Sequence, residues 1–354
     1  MKDAKYLLAY LLPLSALLAL WLQGNWAWAT VVLAFVILPL LEAQLPPSTA
    51  NQPAEAEPER SRQVFFDWLL YANAPLLFAI VGWYLYVVQY ANLEWPALTG
   101  LTLSVGIIVG ANGINVAHEL GHRSRRGEQA LAKWMLLTAL YQHFFIEHNR
   151  GHHKNVATDA DPASARLGET LFAFWPRSIA GGWRNAWTLE AERLKKTGKN
   201  ALSFDNEMLR FQVWQLLWLA AIGLFVGWKA LSGAVAIAAI GILLLETINY
   251  VEHYGLRRRP TATGRPEPVL PAHSWNSDHE LGRIFLYELT RHSDHHYKAN
   301  RKYQILRHID ESPQLPFGYP ASVLIALAPP LWFRLMNGRA RDWMQKIAAS
   351  PAAA

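Results

Sequence analysis

Histidine is the residue type whose spacing in this sequence points to chemistry, because nine of the thirteen histidines fall in four short groups. The first group is His118-Glu-Leu-Gly-His122. Two imidazoles four residues apart leave the same face of a helix with their Cβ atoms about 6 Å apart, a spacing that suits capture of one metal ion. The pair therefore predicts a metal site on a helix.

The second group reads Glu147-His148-Asn-Arg-Gly-His152-His153. His148 and His152 repeat the four-residue spacing, which predicts that they face one metal together. His153 points away from that helical face, so we expect it to bind a neighbouring metal.

The third group is Arg291-His292-Ser-Asp-His295-His296, whose three imidazoles span only about 100° of a helix. The fourth is His253, in the segment Asn249-Tyr-Val-Glu-His-Tyr-Gly. The other four histidines are isolated, and we expect them to be surface or capping residues: His143, His273, His279 and His308.

The ligand types narrow the metal only in part. The chain has no cysteine, which excludes disulfides, thiolate catalysis and cysteine-ligated iron or zinc. Imidazoles in this number suit iron, copper, nickel or zinc, and the affinity order does not choose among them. One alternative is a zinc protease with Glu119 as general base, which leaves six clustered histidines unexplained. Another is metal transport or storage, although the helical spacing favours a fixed site.

Long apolar runs predict a bilayer setting, since 52% of the residues are hydrophobic and a membrane span needs about 20 of them in succession. We predict an all-α integral membrane protein with six transmembrane helices and a helical cap that holds the histidine-rich site. The predicted spans are residues 6–22, 26–41, 68–90, 98–117, 211–228 and 230–251.

The distribution of basic residues predicts the orientation. Residues 122–210 hold fourteen Lys and Arg, whereas the connections after spans one, three and five hold only Lys229. Both termini and the cap are therefore expected in the cytoplasm. Spans four and six then both end at the cytoplasmic boundary, where His118, His122 and His253 meet the polar segments that carry the other six. We divide the chain into a six-helix bundle at 1–254, interrupted by a catalytic segment at 122–210, and a catalytic cap with the C-terminal region at 255–354.

Four further segments have weaker signals. Residues 44–62 have the composition of a surface linker, and residues 350–354 are also linker-like. Residues 131–146 are predicted to form a buried or interfacial helix, and residues 321–335 an interfacial or cap-packed helix. The net charge of +6 suits a basic face beside anionic lipid, and no nucleic-acid-binding motif is present.

These motifs together resemble the AlkB-type alkane 1-monooxygenases, within the membrane class that includes the histidine-box fatty acyl desaturases. Desaturases share the three histidine boxes, but the fuller text is similar to the alkane hydroxylases: His-Glu-Leu-Gly-His, Glu-His-Asn-Arg-Gly-His-His, Asn-Tyr-x-Glu-His-Tyr-Gly-Leu, Leu-x-Arg-His-Ser-Asp-His-His, Asp161-Pro-Ala-Ser-Ala-Arg166 and Ser274-Trp-Asn-Ser277. Two small departures, Thr290 and Tyr297, do not fall on a histidine.

The resemblance implies a non-haem di-iron enzyme of the cell inner membrane that uses O2 to hydroxylate the terminal carbon of medium-chain n-alkanes. Electrons would come from a rubredoxin and its NAD(P)H-dependent reductase. The alternative within the same class is a fatty acyl desaturase or hydroxylase. The two irons would be held by His118, His122, His148, His152, His153, His253, His292, His295 and His296.

Acids and amides beside these histidines are candidates to accept the second ring N–H of an imidazole or to bridge two metals. We predict catalytic roles for Glu119, Asp294 and Asn249. The other candidates are Glu147, Asn149, Asp159, Asp161, Glu252 and Asp278. An acidic electron carrier could dock at Arg257–Arg259 or near Lys195, although these residues also fit the ordinary positive charge of a cytoplasmic face.

Overall fold

The structure is a computed structural model that describes residues 2–349, so the linker predicted at 350–354 lies outside the described residues. Within residues 2–349 the chain is helical and forms no β-strand. In chain order the helices used below are α1 (Asp3–Leu22), α2 (Gly24–Glu42), α3 (Val64–Tyr90), α4 (Trp95–Gly121), α5 (Arg126–Thr138), α6 (Leu171–Lys196), α7 (Glu207–Val226), α8 (Trp228–His253), α9 (Glu280–Phe285), α10 (His292–Tyr297), α11 (Tyr319–Ala326) and α12 (Pro329–Ala349).

Six helices in the described part of the chain are long and apolar enough to cross a membrane: α1, α2, α3, α4, α7 and α8. This confirms the predicted all-α membrane fold. Every helix differs from its predicted span by up to four residues at one end or both, and Trp228, predicted to end the fifth span, begins α8 instead. Gly227 separates the two helices at a φ of 136°, a conformation that glycine adopts far more readily than other residues.

Burial within the protein separates central from peripheral spans. In the most apolar stretch of α4, 72% of the residues are buried inside the protein, against 11% in α7. The centre of the bundle is therefore α4, and α7 presents most of its surface to lipid. Close contact between α4 and α8 depends on glycine: a Cβ at Gly106 would lie 2.5 Å from the Cβ of Ile240, and one at Gly241 would lie 2.7 Å from Val109.

The C-terminal helices pack against the end of α8. Helices α11 and α12 meet at a bend of 118°, so they do not form one straight span. The buried Trp332 of α12 contacts Tyr250 and Tyr254 with ring centroids 5.4 Å apart in both pairs. The single interfacial or cap-packed helix predicted at 321–335 is therefore wrong in number and bounds, because two helices occupy this region, although they do pack against the end of α8.

Residues 44–62 are mostly exposed, as a linker should be, but they are not a free connection. The carbonyl of Ser48 accepts a hydrogen bond from Arg283 (2.8 Å), and that of Ala50 accepts one from Arg291 (2.9 Å). The α2–α3 connection is therefore hydrogen-bonded to α9 and to the residue that precedes α10. The prediction of a surface linker agrees with this exposure, and the two arginine contacts show in addition that the linker is anchored.

The single helix predicted at 131–146 is also wrong, because α5 ends at Thr138. Leu140 then takes a φ of +52°, which breaks the helical path and starts a tight turn. A new short helix begins at Phe144 and leads into the second histidine group. This break allows residues 141–156 to pass beneath the ends of the spans.

We expect the substitution Gly106→Ala to destabilise the bundle by about 1–3 kcal/mol, the usual cost of overpacking, since its Cβ would overlap Ile240. Gly82→Ala is the matched control, because a Cβ at Gly82 in α3 meets no atom within 4 Å. Thermal unfolding of the purified protein in detergent measures the difference. Equal transition temperatures for the two variants would contradict the close α4–α8 contact.

Candidate metal centre

Helix α4 carries the first two histidines at its end. After a π-helical segment at Val109–Ile114, the chain returns to α-helix at Asn115–Gly121, and His122 follows as the C-cap residue. The rings of His118 and His122 lie with their centroids 4.9 Å apart. The predicted pairing of these two histidines on one helical face is therefore what the structure shows.

The second group does not pair as its spacing predicts. Residues His148–His152 form a π-helix, in which hydrogen bonds join residues five apart instead of four. As a result, Nε2 of His153 lies 3.0 Å from Nε2 of His148, while Nε2 of His152 lies 3.2 Å from Nε2 of His296. The expectation that His148 and His152 face one metal was wrong, because it assumed regular α-helical geometry.

Two unusual backbone conformations hold this segment at its ends. Leu140 turns the chain before it, and Ala157, at a φ of +58°, turns the chain after it. The amide of Ala157 donates to Oγ of Ser164 (2.8 Å), which stabilises the second turn. Positive φ is uncommon outside glycine and often accompanies functional sites.

Helix α10 supplies the third group. Its start is held by Asn276, whose Oδ1 accepts a hydrogen bond from the amide of Ser293 (2.8 Å). His292 and His296 lie one turn apart with their Nε2 atoms separated by 2.9 Å. His295 faces His118 and His153 instead.

The nine histidines predicted from the sequence come together in two adjacent groups. Within each group the candidate ligand atoms all lie within 4.8 Å of one another. From here on, the first and second groups are these two spatial groups and no longer the groups along the sequence. The first is His118, His122, His148, His153 and His295, and the second is His152, His253, His292 and His296. Because the second and third histidine boxes each contribute to both groups, the two sites share supporting elements.

The distances within the groups fit metal coordination. Nitrogen ligands held about 2.0–2.1 Å from one ion lie roughly 3 Å apart. The observed Nε2–Nε2 distances are 3.0 Å for His118–His295, 3.1 Å for His153–His295 and 3.2 Å for His253–His292. In addition, Nε2 of His122 is buried without a hydrogen-bond partner, an expensive arrangement unless a cation lies there.

Burial also favours the protonation state that metals require, since only a neutral imidazole can bind a metal. Among the histidines of these groups that lie outside the membrane spans, burial lowers the pKa of all but one. The histidines with a lowered pKa are His122, His148, His153, His292, His295 and His296. The exception is His152, where burial is outweighed by the charge and hydrogen bond of Asp161, so that its pKa is raised.

Among the described residues, Asp161 is one of two acids that contact the histidine groups directly. Its Oδ2 lies 2.9 Å from Nδ1 of His152 and also accepts a hydrogen bond from Ser164 (2.5 Å). Such a carboxylate fixes the ring so that Nε2 faces the metal. This is the role that the sequence suggested for several acids without selecting one.

Glu252 is the second such acid. Its Oε2 lies 3.2 Å from Nε2 of His292, among the ligand atoms of the second group. The hydroxyl of Tyr319 donates to Oε1 of Glu252 (2.9 Å) and so orients the carboxylate. Tyr319 was missed by sequence reasoning, because it lies far along the chain from every histidine of the two groups.

Two predicted catalytic acids are instead held by arginines. Glu119 accepts hydrogen bonds from Arg123 (3.0 Å) and from the amide of Tyr303 (3.2 Å). Asp294 binds Arg301 at 2.7 and 2.9 Å. Neither carboxylate bonds to an imidazole within the described residues, so the expectation of such a contact was wrong, and their catalytic roles stay predictions.

The other candidate acids and amides are less direct. Asp159 is exposed and lies 3.7 Å from Arg257, while Asp278 binds His308 (2.7 Å). Asn149 donates to the carbonyl of Phe145 (2.7 Å). Glu147 accepts a hydrogen bond from Asn185 (3.1 Å), and burial raises its pKa to about 7.

The four isolated histidines lie outside both groups. His273 caps the turn at Pro271–His273 by accepting from the amide of Leu270 (3.0 Å), as predicted. His143 differs from its prediction, since it is buried and its side chain makes no capping hydrogen bond at the start of the helix Phe144–Glu147, and that burial lowers its pKa to about 4. His279 and His308 are partly exposed.

An apolar cavity that is partly open to the outside reaches both groups from within the bundle, and its empty space, open mouth included, is about 910 Å³. Aliphatic and aromatic side chains of α1, α2, α4 and α8 line most of it, including Leu12, Phe35 and Leu245. Polar groups line one end only. They are Asn115, His118, His148, Asn249, Glu252, His292 and Tyr319.

Comparison with known proteins identifies the family. The model of the fatty acid desaturase family matches residues 93–323, which include every histidine of both groups.

Relatives match nearly the whole chain. Alkane 1-monooxygenase 2 of Pseudomonas aeruginosa is 40% identical over 320 residues, which cover 90% of this chain and 85% of the relative. Alkane 1-monooxygenase 1 of Alcanivorax borkumensis is 37% identical over 96% of this chain and 85% of the relative. A xylene/toluene monooxygenase hydroxylase component from Pseudomonas putida is 28% identical over 98% of this chain and 92% of the relative. This chain is therefore a multi-pass membrane protein of the alkane 1-monooxygenase family, within the wider fatty acid desaturase family.

Proposed function

We propose that this protein hydroxylates the terminal carbon of medium-chain n-alkanes at a di-iron centre held by the nine histidines. The observation that carries the proposal is the apolar cavity that ends on imidazoles of both groups. An alkane offers no charge or hydrogen-bonding group, so a protein can bind it only by shape in an apolar space. The names of the relatives support the same substrate class.

The reaction adds one oxygen atom of O2 to a C–H bond and reduces the other atom to water, which consumes two electrons and two protons. When bound, the two irons would supply the activation of O2. The protein's own part is to hold the methyl group against the histidine groups and to exclude water from the cavity. Asn249 and Glu252, at the polar end of the cavity, are placed to orient groups there.

A rubredoxin reduced by an NAD(P)H-dependent reductase is the proposed electron source. Arg258 donates to the carbonyl of Lys154 (3.0 Å), the residue after His153, so a basic surface lies within a few residues of the first group. Lys195 and Lys196 are exposed at the end of α6. An acidic carrier would be attracted to such a surface.

The proposed setting is the cell inner membrane, with both termini and the histidine groups on the cytoplasmic side. Fourteen basic residues in the segment 122–210 support this orientation. The proposed division into a membrane bundle and a cytoplasmic catalytic cap follows from it. Alkane dissolved in the bilayer would then enter between the spans, while the carrier binds from the aqueous side.

We expect purified protein, reconstituted with iron, rubredoxin and reductase, to convert octane and dodecane to 1-alkanols, as measured by gas chromatography. The variant His295→Ala should lose this turnover, because His295 belongs to the first group. The control is His279→Ala, a partly exposed histidine outside both groups, which should keep it. A double bond introduced into a fatty acyl substrate, with no alkanol, would favour the desaturase alternative.

We expect Ala111→Leu to lower turnover of long alkanes more than turnover of short ones. Ala111 lines the cavity and lies seven residues, or roughly 10 Å along the helix, from His118. A larger side chain there obstructs the tail of a long substrate and leaves a short one unaffected. Ala111→Ser, which adds one atom, serves as the control. An unchanged chain-length profile for Ala111→Leu would argue against this cavity as the substrate site.

We expect Asp161→Asn to weaken iron binding by about tenfold, the lower range for loss of a carboxylate behind a metal-binding histidine. Asp159→Asn is the matched control, since the side chain of Asp159 is 88% exposed and only two residues away. Elemental analysis measures the iron that each variant retains at increasing chelator concentrations. This measurement does not depend on turnover. The wild-type protein should hold close to two irons per chain, and equal retention by both variants would count against the role of Asp161.

A further inference from the structure

A second cavity, partly open to the outside, lies between α5 and α7, apart from the histidine groups, and its empty space, open mouth included, is about 490 Å³. Its charged residues are Lys133 on α5, and Glu207 and Arg210 on α7. Nζ of Lys133 lies 2.5 Å from a carboxylate oxygen of Glu207, and Arg210 approaches the same oxygen at 3.8 Å. One acid thus lies against two bases, which leaves the cavity with one net positive charge.

The cavity also has an unsatisfied hydrogen-bond acceptor. Gln142 is only 3% exposed, and its Nε2 donates to the carbonyl of Lys133 (3.0 Å). Its Oε1 is buried with no partner, although the side chain lines the cavity. A buried acceptor without a partner is energetically unfavourable. A ligand with a hydroxyl donor would satisfy it.

The position of the cavity is that of a lipid headgroup. Helix α7 begins at Glu207, and α8, which runs back beside it, ends at His253, so the cavity lies at the membrane boundary nearest the histidine groups. Trp134 and Trp214 form its apolar side with ring centroids 5.3 Å apart, and both are close to half exposed. Tryptophan is enriched at this level of a bilayer, where its ring meets the headgroups.

We propose that this cavity binds the headgroup of one anionic phospholipid that carries hydroxyl groups, such as a phosphatidylglycerol. The phosphate lies against Lys133 and Arg210, the headgroup hydroxyls donate to Oε1 of Gln142, and the acyl chains follow Trp134 and Trp214 into the bilayer. The bound lipid then fills the gap between peripheral α7 and α5.

Native mass spectrometry of the detergent-purified full-length protein tests this site. Dioleoyl-phosphatidylglycerol should bind the wild-type protein in a one-to-one complex, and Arg210→Gln should weaken it roughly fivefold, the effect of one basic residue on an anionic lipid. Lys133→Gln should do the same. The matched control is Arg126→Gln, an exposed arginine at the start of the same helix as Lys133, which should leave binding unchanged.

Two other lipids separate specific from general binding. Dioleoyl-phosphatidylmethanol has the same charge without hydroxyls, so its weaker binding would support the contact with Gln142, and equal binding would overturn that contact. Dioleoyl-phosphatidylcholine should bind more weakly than both. If phosphatidylcholine binds equally, or if Arg126→Gln weakens binding as much as Arg210→Gln, the site is only ordinary annular lipid and the proposal fails. Unfolding temperatures of the variants verify that each is folded.

Discussion

The structure depends on one electrostatic constraint, which is that nine largely uncharged imidazoles, seven of them buried and two half-buried, must direct their lone pairs at two small regions of space. Nitrogen atoms about 3 Å apart repel one another unless they share a proton or a cation. Because burial keeps most of these rings neutral, added protons do not offset this repulsion. A bound cation is the remaining way to offset the repulsion between the nitrogens. The surrounding helices must hold the rings in place until a cation binds.

Rigid elements meet this demand from several directions. His118 and His253 lie at the ends of α4 and α8, the two spans with the closest glycine contact in the bundle. Beside them, Arg123 links Glu119 on α4 to Asp67 on α3 through hydrogen bonds of 3.0 and 2.9 Å. These buried ion pairs are arranged around the histidines and not among them. The acids therefore support the helices, while the imidazoles remain available.

The location at the membrane boundary reconciles two opposite requirements. The cavity that leads to the histidines is apolar, as a hydrocarbon needs, whereas Asp161 contacts His152 and Arg258 bonds to the carbonyl of Lys154, the residue after His153. Asn249 and Glu252 lie on the last turns of α8, where these two environments meet. A site deeper in the bilayer would have to bury its acids without partners, which is costly. One farther out would not be reached by a lipid-dissolved substrate.

The sequence alone determined much of this protein. Apolar run lengths predicted the six spans, because a bilayer sets a minimum helix length, and the four-residue spacing of His118 and His122 predicted a pair on one face. The fold class and the nine clustered histidines followed from such local periodicities. Their grouping did not, since a π-helix at His148–His152 shifts its hydrogen bonds by one residue, and nothing in the local sequence signals that change.

Only the tertiary structure decided which polar residues contact the histidines. Seven acids lie close to the histidines in sequence, but contacts between distant segments select Asp161 and Glu252 and bind Asp294 to Arg301. Tyr319 reaches Glu252 across 67 residues of sequence, and His143 is buried by a turn that its neighbours do not predict. Spacing along a chain fixes which residues share a helix face. Contacts between faces depend on packing, which involves the whole chain at once.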